Sequence, residues 1–574
     1  MDQAFFNEDM QFFVDHRVDW ERLLRLRLGP QTAVADEVDT YRMVLRTAGE
    51  VCADIEAESH GHWHESVTLE DGEVVVPAHV AAGYEKLRQA GLTCLPMHPR
   101  YGGSGLSVLL NCMFLEMLSR ANASLMTIIG LQTGVAQDIE RYGSEELCQE
   151  YLPRFASGEL QGAMDLTEPQ AGSDLGGIVT RADLRDGVYV LNGEKIFITN
   201  GGAPVHLVLA RDGATYDESR GTTNGLNLLV CPRTLADGTA NGIRIPRVEH
   251  KLGIHGSPTC VVEFEDAEAY LIGEVGQGFR AMLSLMNNAR LGVAAQAIGI
   301  AEAAYRAARS YASQRVQFGT PIVNQPLLKS MLGGMAINIQ AARALLYRTC
   351  DMIDTIDAID TNLASDWAAQ GQEREALEAE RERLQSLIRF FTPLCKYYAT
   401  EIANDVTRAG IQAHGGIGYM SETAAGQYHN DSIITTIYEG TSEIQASFAL
   451  KEMAKGALTA TLEDIRTRIE SLPDDFSECG LSVCAGIDAI NGSIPALLGD
   501  FDYALLNAKR ISQMVIDVIV SAELLQQAVD SDAKRLLAMA FTGRHMLSLH
   551  MNAERISTGD ASRIQRYNAI LGLE

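Results

Sequence analysis

The first group able to do chemistry is Glu439, set between an aromatic ring and a glycine in Ile437-Tyr438-Glu439-Gly440-Thr441-Ser442-Glu443-Ile444-Gln445. Ser442 and Gln445 have the spacing of a capping box, which predicts a helix starting there and leaves Glu439 on the loop before it. A carboxyl packed among apolar groups is desolvated and its pKa rises, as a general base working near neutrality requires. The plainer reading is one surface glutamate among many. Three more segments have the composition of binding loops. Leu166-Thr167-Glu168-Pro169-Gln170-Ala171-Gly172-Ser173-Asp174 runs from a strand into a loop rich in glycine and hydroxyls, whose donors suit a phosphate or a polar heterocycle. Alone it reads as a turn with Asp174 as its cap. Phe197-Ile198-Thr199-Asn200-Gly201-Gly202 puts an aromatic ring at the end of a hairpin strand, where it could stack on a planar cofactor. Taken alone, a core phenylalanine is the better reading. Gln412-Ala413-His414-Gly415-Gly416-Ile417-Gly418-Tyr419 clusters glycines after a helix, for close backbone approach or as a C-cap. His60-Gly61-His62-Trp63-His64 has the residues of a metal cluster. Alternate histidines on a loop more often face solvent or bond locally, and no metal site is expected.

The elements that must position these groups follow from periodicity. Apolar residues three and four apart predict helices over Val34–Glu58, Ala78–Gly91, Leu106–Arg120 and Ser144–Phe155, with loops at His60–Glu73 and Pro96–Gly105. Between Gln161 and Gly276 the texture becomes short strands, with Asp186-Gly187 and Asn192-Gly193 read as hairpin turns. Beyond Gly278 long helices return over Phe279–Gln314 and Leu327–Thr355. Alanines and glycines at Leu291–Ala304 allow close helix approach. Met282, Leu285 and Met286 form a stripe belonging to the core or to the wall of an acyl pocket. Gln372–Arg383 reads as a solvated helix face. Thr392-Pro393 reads as an N-cap and first-turn proline of a helix ending near Ala409. The tail is helical, with expected breaks at Pro473–Gly480 and Gly492–Gly499. The expected fold is α+β and multi-domain: an N-terminal helical domain (1–160), a central small antiparallel β-barrel (161–277), a C-terminal four-helix bundle (278–455) and an added helical extension (456–574).

The 574 residues are 46% apolar and 21% charged, ample for a large core. Lys plus Arg number 47 against 75 Asp plus Glu, a net charge of −28. Such a surface repels nucleic-acid phosphates and anionic headgroups, so neither nucleic acid nor a membrane is an expected partner. The ten cysteines are scattered without a C-x-x-C pair, as free buried thiols in a reducing compartment would be. The first residues lack the basic and apolar regions of a signal peptide, and no run of apolar residues is long enough to span a bilayer. The expected location is cytoplasmic.

Together and in this order, the motifs resemble the acyl-CoA dehydrogenase family of flavoenzymes, from about residue 40 to 455. Thr167-Glu168-Pro169-x-Ala171-Gly172-Ser173-Asp174 is similar to that family's first signature, and Gln412-x-x-Gly415-Gly416-x-Gly418 to its second. Pro99-Arg100-Tyr101-Gly102-Gly103-Ser104-Gly105 and the Tyr142–Pro153 stretch also match its pattern. The chain length, Phe391–Lys396 and Ala424-Ala425-Gly426-Gln427 resemble the larger branch that carries a C-terminal helical extension.

The resemblance implies oxidation of an acyl-CoA thioester to the trans-2-enoyl-CoA, with Glu439 removing the α-proton while hydride leaves the β-carbon for FAD. The thioester oxygen would be held by the Glu439 backbone N–H and a flavin hydroxyl. Some members carry the base on the long helix; the matching stretch, Asn287-Asn288-Ala289-Arg290, has no carboxylate. Implied FAD contacts are Leu166, Thr167, Ser173, Phe197, Ile198, Thr199, Thr441 and Glu443. Arg315, Gln412 and Gly416 of a neighbouring subunit would cover the adenine end and pyrophosphate, and Phe318, Gln325 and Gly415 complete the cofactor set. Implied substrate contacts are Ser173, Asn287, Arg290, Tyr438 and Gly440. A homo-oligomer, dimer or tetramer, and an electron-transferring flavoprotein are the implied partners, within fatty acid β-oxidation. The chain departs from the pattern at Asp165, at Gln427, at Phe197 where many members have Trp, and at Ala446 and Ser447. These departures leave the base intact and bear on CoA contacts and flavin potential. An acyl-CoA oxidase that uses oxygen, or a catalytically silent binding module, are the alternatives.

Overall fold

The structure is a computed structural model that describes residues 4–573, the side chains of residues 284 and 285 excepted. The chain opens with helices α1 (Glu8–His16), α2 (Trp20–Leu28) and α3 (Val34–Ser59), then a hairpin of β1 (Thr68–Glu70) and β2 (Glu73–Val75). Helices α4 (Ala78–Gln89), α5 (Val108–Ala121), α6 (Ala123–Tyr142) and α7 (Glu145–Ala156) follow. The strands are β3 (Gly162–Asp165), β4 (Arg181–Arg185), β5 (Val188–Thr199), β6 (Val205–Asp212), β7 (Leu226–Pro232), β8 (Ile243–Val248) and β9 (Thr259–Ile272), with the short α8 (Tyr216–Ser219) before β7. Next come α9 (Gly278–Gln314), a hairpin of β10 (Val316–Gln317) and β11 (Thr320–Pro321), α10 (Pro326–Ala364), α11 (Gly371–His414) and α12 (Ala424–Ile433). The chain ends with α13 (Ser442–Ala454), α14 (Ala457–Glu470), α15 (Ser477–Leu498), α16 (Phe501–Leu506), α17 (Ala508–Ala528), α18 (Asp532–Ser557) and α19 (Ser562–Leu571).

By packing, the chain divides into two units. One contains Asp39–Ala308 and Gly410–Thr435; the other contains Glu8–Val38, Arg309–Ala409 and the chain from Thr436 on.

In the first unit, β6, β4, β5, β9 and β7 close into a barrel, with β3 added to β6 and β8 to β9. The β3–β6 and β4–β6 joints are parallel and the others antiparallel. Strand β6 is buried along its whole length because both its faces are covered. Val205, Leu207 and Leu209 pack with Val135 and Ile139 of α6 and Leu152 and Phe155 of α7, while Val208 and Ala210 point into the barrel beside Val262 and Phe264. That is the period of two expected of a strand. Met282 joins the helix-facing core and Met286 packs against it; Leu285 lies outside the described residues. The small-residue stretch of α9 does bring helices together. A Cβ on Gly299 would fall 2.4 Å from the Glu116 carbonyl oxygen of α5.

Asp186-Gly187 forms the expected tight turn between β4 and β5, with φ of 49° and 90°. Asn192-Gly193 does not turn the chain. It is a bulge inside β5, where the register with β9 shifts. Asn192 exchanges hydrogen bonds with Asp266 opposite, and a Cβ at Gly193 would lie 2.5 Å from Thr180 Oγ1. The expected loop at His60–Glu73 contains β1, and Asp71-Gly72 turns it into β2.

In the second unit α17 is buried along nearly its whole length. Its Glu523 is paired with Arg468 of α14 at 2.7 Å and Arg348 of α10 at 3.8 Å. Two expected breaks are absent. Pro393 lies inside α11 and Thr392 is no cap. An interior proline costs about 3 kcal/mol, but each fully buried large apolar side chain returns roughly 1.5–3 kcal/mol, and Phe390, Phe391, Leu394 and Tyr398 are all buried. Likewise α15 runs through Gly492 and Pro495, because Val483, Ile487, Ile490 and Leu497 keep one face buried. Asp474–Leu498 is long and apolar enough to cross a membrane. Of its most apolar stretch 33% is buried, and a Cβ on Gly486 would meet Met546 and Leu549 of α18 and Val518 of α17. All ten cysteines are free, eight of them buried and Cys479 and Cys484 partly so.

Candidate functional site

The loop after β3 is organised by a buried ion pair. Lys195 Nζ on β5 donates to Glu168 Oε1 at 2.8 Å and to the carbonyls of Leu166 and Leu209 at 3.0 and 2.7 Å. Glu168 also accepts from the backbone N–H groups of Val179 and Thr180 at 2.7 and 3.0 Å and from the Gln170 amide at 2.6 Å. Burial alone would raise the Glu168 carboxyl. The Lys195 ammonium and these donors outweigh it and hold the carboxyl below the usual carboxylate range. Glu168 and Ala171 exchange backbone hydrogen bonds, and Asp174 accepts from the Gly176 N–H as the expected cap. These bonds within the chain brace the loop, and Ser173 stands exposed on it.

The end of β5 joins this loop through the Ile196 N–H, which donates to the Thr167 carbonyl at 2.9 Å. That bond brings Leu166, Thr167, Phe197, Ile198 and Thr199 together. Phe197 is not a core residue: it is 61% exposed with φ of 59°. A left-handed phenylalanine in water costs of order 1–3 kcal/mol, and packing does not explain it here. An aromatic face held open beside hydroxyl donors suits a planar heterocycle. Beneath, Asp165 Oδ2 and His206 Nδ1 are 2.8 Å apart and wholly buried.

The Glu439 loop belongs to the second unit. Glu439 is half-buried with φ of 56°, and Gly440 follows with φ of 93°. Gln445 Nε2 donates to the Glu439 carbonyl at 2.8 Å and to the Gly440 carbonyl at 3.3 Å, and Lys396 Nζ donates to the Gly440 carbonyl at 2.7 Å. The helix cap is Thr441, one residue before the expected Ser442, and its hydroxyl accepts from the Ile444 N–H. Ser442 instead donates to Glu401 of α11. Gln445, expected to close a capping box, reaches back further and fastens the loop. Tyr438 is half-buried, and Glu443 pairs with Lys509 of α17 at 3.3 Å.

Arg315 and Phe318 lie exposed at the β10–β11 hairpin, with Phe318 in its turn at φ of 53°. Gln325 precedes α10. Gln412 is on the last turn of α11, and Gly415, at φ of 64°, ends that helix as the C-cap reading expects. A side chain at Gly415 or Gly416 would meet nothing within 4 Å, so that backbone is open to approach. Arg290 is buried and donates to Asn287 at 3.1 Å. In the histidine loop, His62 bonds Glu65, His64 bonds the Ser421 carbonyl, and His60 lies edge-on to Trp63.

Sequence reasoning missed Glu168 and Lys195 as a pair, and Lys396 and Gln445 as loop anchors. Each stands in or beside a quoted motif, but partners far apart in sequence leave no local signal.

A cavity of about 70 Å³ in the first unit is lined by His60, His79, Asn122, Gln427, Tyr428 and Asp431. Burial pushes the Asp431 carboxyl up to about 7, against the Ile254 N–H, the Gln427 amide and Lys251. The folded protein then holds this proton more tightly than the unfolded chain. The stabilisation is full below about pH 4 and is lost as pH rises through about 7. Asp431→Asn should lose less stability between pH 5 and pH 8 than wild type in urea titrations; an equal loss would exclude Asp431 as a source.

Family models described as the N-terminal, middle and C-terminal domains of acyl-CoA dehydrogenase match residues 39–159, 163–267 and 276–454. The 3-methylmercaptopropionyl-CoA dehydrogenase of Ruegeria pomeroyi is 35% identical over 475 residues, 79% of this chain and 76% of that protein. A chain from a structure of the electron transferring flavoprotein of Acidaminococcus fermentans, concerned with flavin-based electron bifurcation, is 30% identical with a TM-score of 0.59; the match covers 72% of this chain and 97% of that one. The acyl-CoA dehydrogenase of Bacillus anthracis complexed with FAD has a TM-score of 0.73 at 23% identity. Its match covers 95% of this chain and 91% of its own, so the fold is shared into the C-terminal extension. The chain belongs to the acyl-CoA dehydrogenase family.

Proposed function

We propose that the protein oxidises an acyl-CoA thioester to its trans-2-enoyl-CoA with Glu439 as the base. It is an FAD-dependent oxidoreductase of its family. The residues present suit the cofactor: the exposed Phe197 ring, the Thr167 and Ser173 hydroxyls, and the open backbone at Gly415 and Gly416. Bound there, FAD would supply the acceptor for the hydride of the β-carbon. Glu439 does the other half of the reaction. Its carboxylate takes the α-proton as the α C–H bond breaks and ends as the neutral acid. Its backbone N–H donates to the thioester oxygen as enolate charge grows. Asn287, Arg290, Tyr438 and Gly440 complete the substrate contacts. The observation that carries this reading is the Glu439 loop, where a half-buried carboxylate is kept in a left-handed conformation by two buried donors.

Anaerobic titration of the yellow protein with a panel of acyl-CoAs tests the reading. At least one should bleach the flavin; a panel that leaves the spectrum unchanged would count against it. Electrons then pass to an electron-transferring flavoprotein, the subject of one matched structure. The working assembly is a homo-oligomer in the cytoplasm, with Arg315, Gln412 and Gly416 supplied by a neighbouring subunit, and without nucleic acid or membrane insertion. Light scattering on the holoprotein should give at least a dimer mass, and acid precipitation should release all the flavin. A monomer with full FAD, or colour that stays in the pellet, would contradict the shared, non-covalent site.

A further inference from the structure

We propose that Lys396 is the positioning residue of the Glu439 loop, its ammonium on the Gly440 carbonyl setting the backbone that aims the base; this rests on Glu439 being that base. Lys396 lies on α11, wholly buried, with Nζ 2.7 Å from the Gly440 oxygen. Removing an ammonium from water is costly even after the surroundings relax. A buried ammonium needs polar partners to offset that penalty, and the Gly440 carbonyl is one of those that Lys396 has.

Its target explains the choice. Glu439 and Gly440 are consecutive left-handed residues, at φ of 56° and 93°. A non-glycine residue in that region persists only where the surroundings over-determine it. Here both carbonyls of the turn are fixed. Gln445 takes the Glu439 oxygen at 2.8 Å and reaches the Gly440 oxygen at 3.3 Å, while Lys396 takes the latter more closely. The two donors come from different helices, α13 and α11, so the turn is held from two directions. A Cβ at Gly440 would lie 2.6 Å from Gln445 Nε2, which leaves no room for the turn to relax toward that side. A charged donor binds a carbonyl about twice as strongly as a neutral amide. Lys396 is thus the stronger of the two fasteners. Loosening it lets the Glu439 peptide rotate, which moves the carboxylate and the backbone N–H together. Displacement by about 1 Å from a reactive geometry can cost on the order of 10²-fold in rate.

The experiment is stopped-flow flavin bleaching under anaerobic conditions with the best acyl-CoA, on Lys396→Met, Lys396→Gln and Glu439→Gln holoproteins. Lys396→Met removes the donor, and its limiting bleaching rate should fall about tenfold to a hundredfold. The half-saturating acyl-CoA concentration should change less than threefold, because no substrate contact is lost. Lys396→Gln restores a neutral donor and should recover part of the rate, which a purely structural role would not produce. Should Lys396→Met fail to yield holoprotein, Lys396→Gln and Gln445→Leu carry the same test, each expected to slow the limiting rate. Glu439→Gln separates the two ideas. If it bleaches like wild type, the base assignment falls. If it is inert while every Lys396 variant keeps the wild-type limiting rate, the base stands and the positioning role is overturned. A change confined to half-saturation also overturns it.

Discussion

Glu439→Gln should bleach its flavin about 10²–10⁴-fold more slowly than wild type. The amide keeps the size and reach of the side chain but does not accept the α-proton near neutral pH. The effect belongs at the upper end of that range, because the matching stretch of α9, Asn287-Asn288-Ala289-Arg290, offers no second carboxylate. FAD content should be unchanged, since the residues that suit the cofactor in the first unit do not include this group. Acyl-CoA binding should survive, because the substitution keeps the backbone N–H that meets the thioester oxygen and changes only the charge of the side chain. Anaerobic bleaching by a good substrate decides it: a mutant within a factor of ten of wild type removes Glu439 as the base.

Lys195→Met should be among the most damaging single changes to stability, at about 3–5 kcal/mol. Lys195 and Glu168 are 0% and 1% exposed in their side chains. Methionine fits the stem of the lysine and deletes three hydrogen bonds, but the main loss is the uncompensated carboxylate left behind. Glu168 would have to take up a proton or draw in water, and the turn holding Thr167 and Ser173 would open. Flavin occupancy should fall along with stability. Urea unfolding of the apoprotein measures the first effect and absorbance per chain the second. Glu168→Gln added to Lys195→Met should restore part of the stability, since it removes the stranded charge. If Lys195→Met lies within 1 kcal/mol of wild type, the pair does not anchor the loop.

Much of the architecture could be read from the chain because its signals are local. Asp186-Gly187 turns where a two-residue turn of that type should, and the apolar spacing of α5, α7 and α9 gives helices within a few residues of those expected. Errors arose where a local signal met a distant partner. Asn192-Gly193 has the same turn chemistry, but pairing with β9 on both sides keeps the strand going. Thr392-Pro393 looks like a helix start and Gly492 like a helix break until the buried faces of α11 and α15 are known. The candidate site divides in the same way. Glu439 stands out by its neighbours in sequence. Lys396 is 44 positions from Gly440 and Lys195 is 27 from Glu168, separations at which charge and amide composition carry no pairing information.

Phe197 also ties cofactor capture to folding. Its ring is largely exposed and its backbone lies in a region that L-residues avoid, so the fold carries strain at this position. Whatever covers the ring binds the folded chain and not the unfolded one. At a hundred times its dissociation constant such a ligand adds about 2.7 kcal/mol to stability. A flavin seated on that ring would act as a late part of the hydrophobic core, and cofactor supply would then bear on how much of the newly synthesised chain survives quality control.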